Sequence, residues 1–504
     1  MYLSEHKALR MLTLCGLYVA QGIPWGFVTV TFAAWLAEPG QGITATQLGP
    51  ILAVATLPWS FKFLWGPLMD RFTIPSMGRR RPWIIFAQSM AILILGSMAF
   101  IDDLPSLVWT EPPNDSGWMK VVFGLVPGPL AALILLANVF VSLQDVAVDA
   151  LAVDLLAESE RGVANGLMYA SSYLGTAIGG AGLGFVVSRY GIQVGLAGQA
   201  LLLGLIMLLP IFIRERRANP ASDPSRPGRN TDDQTGSQNH QQRVVVANEL
   251  PAGSLDLGVN PYLPPATTDA TTTDATTAGS TTTDATTTGS VSASDQQVSQ
   301  SVFLNLFRAF SLRATLLGAM IALGVKIGSG AITVVLVDYL MKEGGWTQAQ
   351  YTNVTGGWAV MLGLGGSIAG GFLADKFGPK RLILSASLAL GAMWIAIGSI
   401  PGALNSQATA TLLLLGQELL LALLSVSLFA LFMSISWPRI AATQFTTYMA
   451  LLNLSTTIGS YSAGQLSSVF AITQILVLAG IVQMSIVLPV LLIDPKQTRR
   501  VLPE

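Results

Sequence analysis

The stretch GPLMDR at residues 66–71 returns in the second half of the chain as GFLADK at residues 371–376. Both copies follow the pattern G-x-L-x-D-[RK], and each lies between two apolar runs. A further glycine and a basic cluster come after each copy. One copy alone would be a weak signal, but two copies at equivalent places indicate a chain built from two similar halves.

The composition indicates a membrane protein. Hydrophobic residues make up 51% of the 504 residues, charged residues only 11%, and the mean hydropathy is +0.57. A soluble chain carries roughly 25% charged residues, so a set of soluble domains is excluded. The net charge of -1 provides no basic field, and we expect no nucleic-acid partner. Because Cys15, His6 and His240 are the whole supply of cysteine and histidine, we expect no metal and no cofactor.

Twelve apolar runs are long enough to cross a bilayer, which takes about 20 residues. This count predicts an all-α membrane protein with 12 transmembrane helices in two six-helix bundles, at residues 1–213 and 303–504. The predicted spans lie near residues 11–37, 46–68, 82–101, 126–156, 162–187, 192–213, 313–340, 350–374, 381–400, 408–436, 443–470 and 472–493.

Residues 214–302 separate the two halves. They are rich in Pro, Ser and Asp, and the unit TTTDATTAGS at 271–280 recurs as TTTDATTTGS at 281–290. A tract without apolar residues to bury is typical of disorder, so we predict a disordered cytoplasmic linker. A partner-binding or mucin-like role for the linker is the alternative.

The basic residues predict the orientation of the spans. Of the 27 Lys and Arg residues, 22 fall on the side that holds both termini and three on the opposite side. Because positive loops stay in the cytoplasm, we predict that both termini are cytoplasmic.

The repeated motif resembles that of the major facilitator superfamily, which carries it in loops 2–3 and 8–9. The resemblance implies two bundles related by a pseudo-two-fold axis along the membrane normal, with a central site near the midplane. It also implies that the acid of each motif helps to close the cytoplasmic side. The predicted gating residues are Gly66, Asp70, Arg71, Arg79, Arg80, Arg81, Gly371, Asp375, Lys376, Gly378, Lys380 and Arg381.

The first half resembles one branch of that superfamily, the muropeptide permeases and acetyl-CoA transporters. The similarity lies in QGIP at 21–24, SFKFLWGPLMD at 60–70, GRRRPW at 78–83 and QDVAVD at 144–149. The resemblance implies import of a bulky polar solute through a bacterial inner membrane, first of all N-acetylglucosaminyl-anhydro-muramyl peptides.

Other solutes and other classes of protein stay open. Acetyl-CoA or another anionic solute is the alternative within the branch. The absence of a G-x-x-x-x-G-K-[ST] motif disfavours ATP-driven transport and favours a proton gradient as the energy source. Scarce His and Cys disfavour a membrane enzyme. A non-transporting membrane sensor is the alternative from another class of protein. We expect a monomer whose partners are the solute, protons and the lipid bilayer.

Charged residues inside spans predict where protons bind. Asp145 and Asp149 lie four residues apart and so share one face of span 4. A charged side chain at a helix centre costs about 2.5–3.5 kcal/mol, so these acids must be paired, protonated or turned inward. We hypothesise that Lys62 pairs with one of them and that protonation of the acid releases the lysine. A purely structural ion pair is the alternative.

Polar residues in other spans predict the solute site. Lys326, midway along span 7, suits a carboxylate or phosphate unless it snorkels to the interface. Gln21 and Trp25 share a helix face that suits a sugar ring or a nucleobase, with a packing kink as the alternative. The predicted substrate-binding residues are Gln21, Trp25, Gln144, Lys326, Asp338, Gln417 and Glu418.

Overall fold

The computed structural model describes residues 2–3, 5–72, 74, 77–108, 126–156, 158–215, 305 and 307–502. The predicted linker at 214–302 lies outside the described residues, apart from Arg214 and Glu215. Its predicted disorder therefore stays a prediction.

Twelve long helical runs occur in the described ranges, and we number them spans 1 to 12. Eleven of these runs are long and apolar enough to cross a membrane, and span 11, with 27 residues, is long enough but more polar. The predicted all-α membrane architecture is confirmed. The bounds are Lys7–Leu36, Ala45–Met69, Arg81–Met98, Pro129–Leu155, Gly166–Tyr190, Ile192–Phe212, Arg313–Lys342, Gln348–Phe377, Pro379–Gly398, Gln407–Ile435, Ala441–Ser467 and Ile472–Leu492.

Several spans depart from a regular α-helix. Spans 1, 5 and 8 widen into π-helical segments at Phe27–Phe32, Ile178–Gly182 and Asn353–Trp358. Span 2 tightens into a 3₁₀-helix over Leu57–Leu64, and span 7 breaks at Lys326. Such interruptions cost regular hydrogen bonding and are frequent at functional sites.

The helix pairs that pack in the first half recur six spans later in the second half. Span 1 packs on span 5, and span 7 packs on span 11. Span 3 packs on spans 4 and 6, and span 9 packs on spans 10 and 12. Spans 2 and 4 are matched in the same way by spans 8 and 10. The two halves therefore repeat one six-helix packing scheme.

Hydrogen bonds join the two ends of each half. The Leu3 amide donates to the Arg214 carbonyl at 2.9 Å, beside the end of span 6. The Ala314 amide at the start of span 7 donates to Gln497 Oε1 at 2.7 Å, just after span 12. We call this face of the molecule the terminal side and the opposite face the far side.

The halves meet on the far side through glycines. A Cβ on Gly49 of span 2 would stand 2.9 Å from the Gly464 amide nitrogen of span 11. A Cβ on Gly180 of span 5 would stand 2.8 Å from Gly356 Cα of span 8. Only glycine permits such close approach of two backbones. The two contacts are equivalent under the six-span repeat.

Polar groups reinforce these contacts between the halves. The Thr56 and Thr457 hydroxyls lie 2.7 Å apart between spans 2 and 11. The Lys342 ammonium donates to the Ile43 carbonyl at 2.6 Å. The structure is therefore closed on the far side.

Candidate functional site

A cavity of about 300 Å³ lies between the halves toward the terminal side. The first half contributes Tyr18 from span 1 and Asp149 from span 4, and the second half contributes Asp375 at the end of span 8. Aromatic and aliphatic side chains, such as Phe429 and Met433 of span 10, form much of the remaining wall. The cavity therefore lies on the terminal side of the contacts that close the far side.

The structure pairs Lys62 with Asp145. Lys62 Nζ lies 3.5 Å from Asp145 Oδ2, and Asp145 is buried within span 4. The 3₁₀ segment of span 2 carries Lys62 toward span 4, and Trp65 Nε1 anchors the same segment by donating to Ser142 Oγ at 3.0 Å. The sequence left open whether Lys62 pairs with Asp145 or with Asp149, and in the structure it pairs with Asp145. The role of the pair in proton coupling stays a prediction.

Asp149 has a different partner and a different setting. Its Oδ1 accepts a hydrogen bond from the Tyr18 hydroxyl of span 1, and both side chains line the cavity. Sequence reasoning missed Tyr18. The available signal was its place three residues before Gln21, one turn along the predicted polar face of span 1.

The structure places Gln144 inside the first half rather than in the cavity wall. Its Nε2 donates to Gln88 Oε1 at 3.3 Å, and Gln88 Nε2 donates to the Leu203 carbonyl at 2.8 Å. This chain of hydrogen bonds joins spans 4, 3 and 6. Gln144 therefore helps to hold these three spans together. Its predicted role in binding solute stays a prediction.

Lys326 and Glu418 lie near each other in the second half. Their charges interact, but no ion pair within 4 Å joins them in the described part of the chain. The break in span 7 is fixed by the Lys326 amide, which donates to Ser455 Oγ at 3.0 Å. Next to Glu418, Gln417 Oε1 is buried without a hydrogen-bond partner among the described groups. A buried polar atom without a partner, such as Gln417 Oε1, is costly in a membrane interior.

A hydrogen bond across the halves lies beside Glu418. The Tyr173 hydroxyl of span 5 and Ser367 Oγ of span 8 are 3.1 Å apart. Tyr173 and Glu418 both pack against Gly363, where an added Cβ would stand 3.4 Å from Tyr173 Cε1 and 3.2 Å from Glu418 Oε1. Spans 5, 8 and 10 therefore converge at this point.

Gln21 and Trp25 lie on span 1 as predicted from their spacing. The Trp25 ring meets the Trp59 ring edge-on, with centroids 6.0 Å apart. Gln21 is buried, and its Nε2 has no hydrogen-bond partner in the described part of the structure. Both residues belong to the first half.

Asp338 lies at the far-side contact between the halves. Its carboxylate pairs with the Lys342 ammonium one turn later, and the same ammonium reaches the Ile43 carbonyl of the first half. This placement favours a role in closing the far side over direct contact with solute.

The basic cluster after the first motif holds Glu215. The Glu215 carboxylate accepts hydrogen bonds from the backbone amides of Arg79 at 2.9 Å, of Arg80 at 2.8 Å, and of Arg81. Gly78, with φ +98°, makes room for this carboxylate. The amides belong to the start of span 3, where the helix dipole favours an anion. Sequence reasoning missed Glu215 because it stands among three arginines.

Matching basic residues cap matching helix ends in the two halves. The Arg81 side chain donates to the Pro210 and Ile211 carbonyls at the end of span 6. The Lys380 ammonium donates to the carbonyls of Leu491 and Ile493 at the end of span 12, at 2.9 and 3.1 Å. Free carbonyls at a helix C-terminus attract cations.

The other motif residues take varied places. Arg80 Nε donates to Asp154 Oδ2 at 3.1 Å, and the Lys376 ammonium lies 5.4 Å from the Phe377 ring centroid. Gly378, with φ +86°, begins span 9, and Gly371 lines the cavity. The side chain of Asp70 lies outside the described side chains. Exposed or partly exposed positions are occupied by Gly66, Arg71 and Arg381.

Comparisons with known proteins agree with the motifs. The family model described as acetyl-coenzyme A transporter 1 matches residues 10–190, and the BT1 family model matches residues 125–352. The chain is 29% identical over 179 residues to the anhydromuropeptide permease of Escherichia coli (strain K12). The aligned part covers 36% of this chain and 32% of the permease, about a third of that relative's length.

Solved structures show the fold. The nucleoside transporter NupG superimposes with a TM-score of 0.62 at 9% identity, covering 96% of this chain and 99% of that one. A D-xylose-proton symporter also gives 0.62, at 14% identity and 97% coverage of both chains. The chain is therefore a multi-pass membrane protein with the major facilitator fold. Its resemblance to the muropeptide permease and acetyl-CoA transporter branch is confirmed.

Proposed function

We propose that the chain is a proton-coupled secondary transporter that imports anhydro-muropeptides across a bacterial inner membrane, with both termini in the cytoplasm. The observation that carries the proposal is the cavity between the two halves, closed at the far side and lined at the terminal side by Asp149 and Tyr18. The similarity of the first half to a permease named for anhydromuropeptides supports the choice of solute.

The geometry supports alternating access. The far-side contacts of Gly49 with Gly464 and of Gly180 with Gly356 join spans of opposite halves. Separating these spans while closing the terminal side would move the cavity's opening to the other face. The six-span repeat makes such rocking of one bundle against the other a symmetric operation.

Buried charges supply the coupling. In the state described, Asp145 and the Lys62 ammonium neutralise each other, whereas Asp149 faces a hydroxyl and the cavity. A proton that binds more tightly in one state than in the other shifts the equilibrium between the states. The proton gradient then drives the conformational cycle in one direction.

The solute would contact groups from both halves that lie outside the lining of the terminal-side cavity. Trp25 and Trp59 present aromatic edges and faces of the kind that sugar rings pack on. Lys326 supplies a cation without a close ion-pair partner in the described residues, which suits a carboxylate of the peptide part. A molecule that carries both a sugar ring and carboxylates has a counterpart for each of these two kinds of group.

Purified protein in proteoliposomes tests the proposal. An imposed inward proton gradient should accumulate labelled N-acetylglucosaminyl-anhydro-muramyl peptide, and a protonophore should abolish the accumulation. Asp149→Asn should lose accumulation but keep exchange of labelled for unlabelled solute. Asp494→Asn, at an exposed ion pair with Arg500, is the matched control and should behave like the wild type. Full gradient-driven accumulation by Asp149→Asn would refute the coupling role.

A second candidate solute is acetyl-CoA or another anionic solute. The match of residues 10–190 to the acetyl-coenzyme A transporter 1 model favours it, because that range contains Lys62, Asp145 and Asp149. Competition in the same proteoliposomes separates the two solutes. If labelled acetyl-CoA accumulates there, unlabelled acetyl-CoA competes with it and the muropeptide does not, the second candidate replaces the first.

A further inference from the structure

We propose that Tyr18 is the positioning residue for the proton site, and that Asp149 rather than Asp145 exchanges the proton with the terminal-side cavity. The proposal rests on the proposed function and assigns separate tasks to the two acids of span 4. It follows from their partners, their access to the cavity and the chemistry of a hydroxyl donor.

The two acids have partners of different charge. Asp145 faces the Lys62 ammonium at 3.5 Å, so a full positive charge balances its carboxylate. Asp149 accepts from the Tyr18 hydroxyl, which supplies a dipole and no charge. Protonation of Asp145 would break a charge pair, while protonation of Asp149 would remove a charge that its donor does not balance. Asp149 is therefore the acid that gains more by binding a proton.

The two acids also differ in their access to the cavity, and Asp149 again is the better placed to exchange a proton. Asp149 and Tyr18 belong to the cavity lining, whereas Asp145 is absent from that lining among the described residues. A proton that enters or leaves through the terminal side therefore reaches Asp149 first. Asp145 lies one helical turn deeper along span 4.

Tyr18 can serve both protonation states. Its hydroxyl donates to the carboxylate of Asp149 and can accept from the protonated acid by rotating its hydrogen. The ring of Tyr169 in span 5 packs against the Tyr18 ring in a T-shaped contact, with centroids 6.3 Å apart, and this holds the phenol in place. The charged or titratable side chains facing this site are Lys62 of span 2, Asp145 of span 4, Tyr169 of span 5 and Asp375 of span 8, across the cavity.

Tyr18→Phe in the full-length protein tests the inference, because it keeps the ring contact and removes the hydroxyl. Removing a donor to the carboxylate favours the protonated acid. The midpoint of the pH dependence of gradient-driven uptake should therefore move to higher pH by about one to two units. Tyr190→Phe, at an exposed tyrosine near the far-side end of span 5, is the matched control and should leave the midpoint unchanged.

A second measurement separates this inference from the proposed function. In pH-difference infrared spectra of the purified protein, the Asp149 band is one titrating carboxyl band among those of the other Asp and Glu residues. This one band should vanish in Asp149→Asn and shift its midpoint upward in Tyr18→Phe. Wild-type protein that accumulates no solute would end the proposed function but leave this spectral test intact. Either an unchanged midpoint of this band in folded Tyr18→Phe, or spectra of Asp149→Asn that have lost no titrating carboxyl band, would overturn the inference.

Discussion

A single added methyl group can test how the far side closes. A Cβ on Gly356 would stand 2.4 Å from the Ala181 amide nitrogen and 2.6 Å from the Gly180 carbonyl carbon. Both atoms belong to backbone, so no side chain can rotate away. Ordinary contacts begin at 3.4 Å, and spans 5 and 8 would have to separate by about 1 Å at this level to accept Gly356→Ala.

The penalty falls on one conformation only. Overpacking a close contact costs ~1–3 kcal/mol, and the cost disappears when the far side opens and the spans part. Because about 1.4 kcal/mol is a factor of ten, Gly356→Ala should move the equilibrium toward the far-side-open state by about 5- to 140-fold. Initial uptake should fall if opening of the terminal side becomes the slow step.

Distances between spin labels report this shift. Labels at Gly40 and Ala349, on far-side segments of opposite halves, can be attached in a Cys15→Ser background and measured by double electron–electron resonance. Gly356→Ala should add a population at longer distance. Gly365→Ala in the same span is the matched control, since its Cβ would meet nothing within 4 Å. Identical distance distributions for the two variants would refute the reasoning.

Three further variants test separate contacts. Lys62→Ala leaves Asp145 buried without its ammonium, so the free energy of unfolding should fall by about 3–5 kcal/mol, which a melting assay detects. The double variant with Asp145→Asn should recover stability. A single variant as stable as the wild type would contradict the pairing. Lys380→Ala removes the hydrogen bonds at the end of span 12 and should speed amide hydrogen exchange there, with a local loss of stability of ~1 kcal/mol. Unchanged exchange would show that these hydrogen bonds do not stabilise the helix end. The Arg10 hydrogen bond lowers the pKa of Glu160, so this contribution is complete above the ordinary carboxyl pKa and is lost as pH falls through the lowered one. Melting temperatures of wild type and Glu160→Gln should therefore differ at neutral pH and converge in acid, and a constant difference would exclude the linkage.

Much of the fold could be predicted because each span carries its own signal. The predicted run at 126–156 is observed as Pro129–Leu155, and that at 350–374 as Gln348–Phe377. Hydropathy could not predict the π-helical segments, because they depend on contacts between spans. The Thr31 hydroxyl of span 1, for example, donates to carbonyls in the π-helical segment of span 5.

The candidate site also contains residues that the sequence could predict and residues that it could not. Lys62 could be matched from the sequence with the two acids of span 4, because a charge inside an apolar run is costly and its depth can be counted from the span end. The choice of Asp145 over Asp149 came only from the structure. Tyr18 and Glu215 could not be found in this way. A tyrosine in an apolar run carries little penalty, and a glutamate among arginines resembles ordinary surface charge. Their roles depend on which partner the fold brings near.

The six-span repeat preserves backbone packing but not charge. Lys62 stands eight residues before Asp70, and the equivalent position before Asp375 is Ser367. Ser367 forms a hydrogen bond with the Tyr173 hydroxyl of the other half. The first half thus carries the Lys62 and Asp145 pair, while the second half carries the looser charges of Lys326 and Glu418. Under the proposed function, proton binding belongs to the first half and recognition of an anionic group to the second. Coupling between them then has to pass through the glycine and hydroxyl contacts where the halves touch, which is why a methyl group there should act on transport without touching either site.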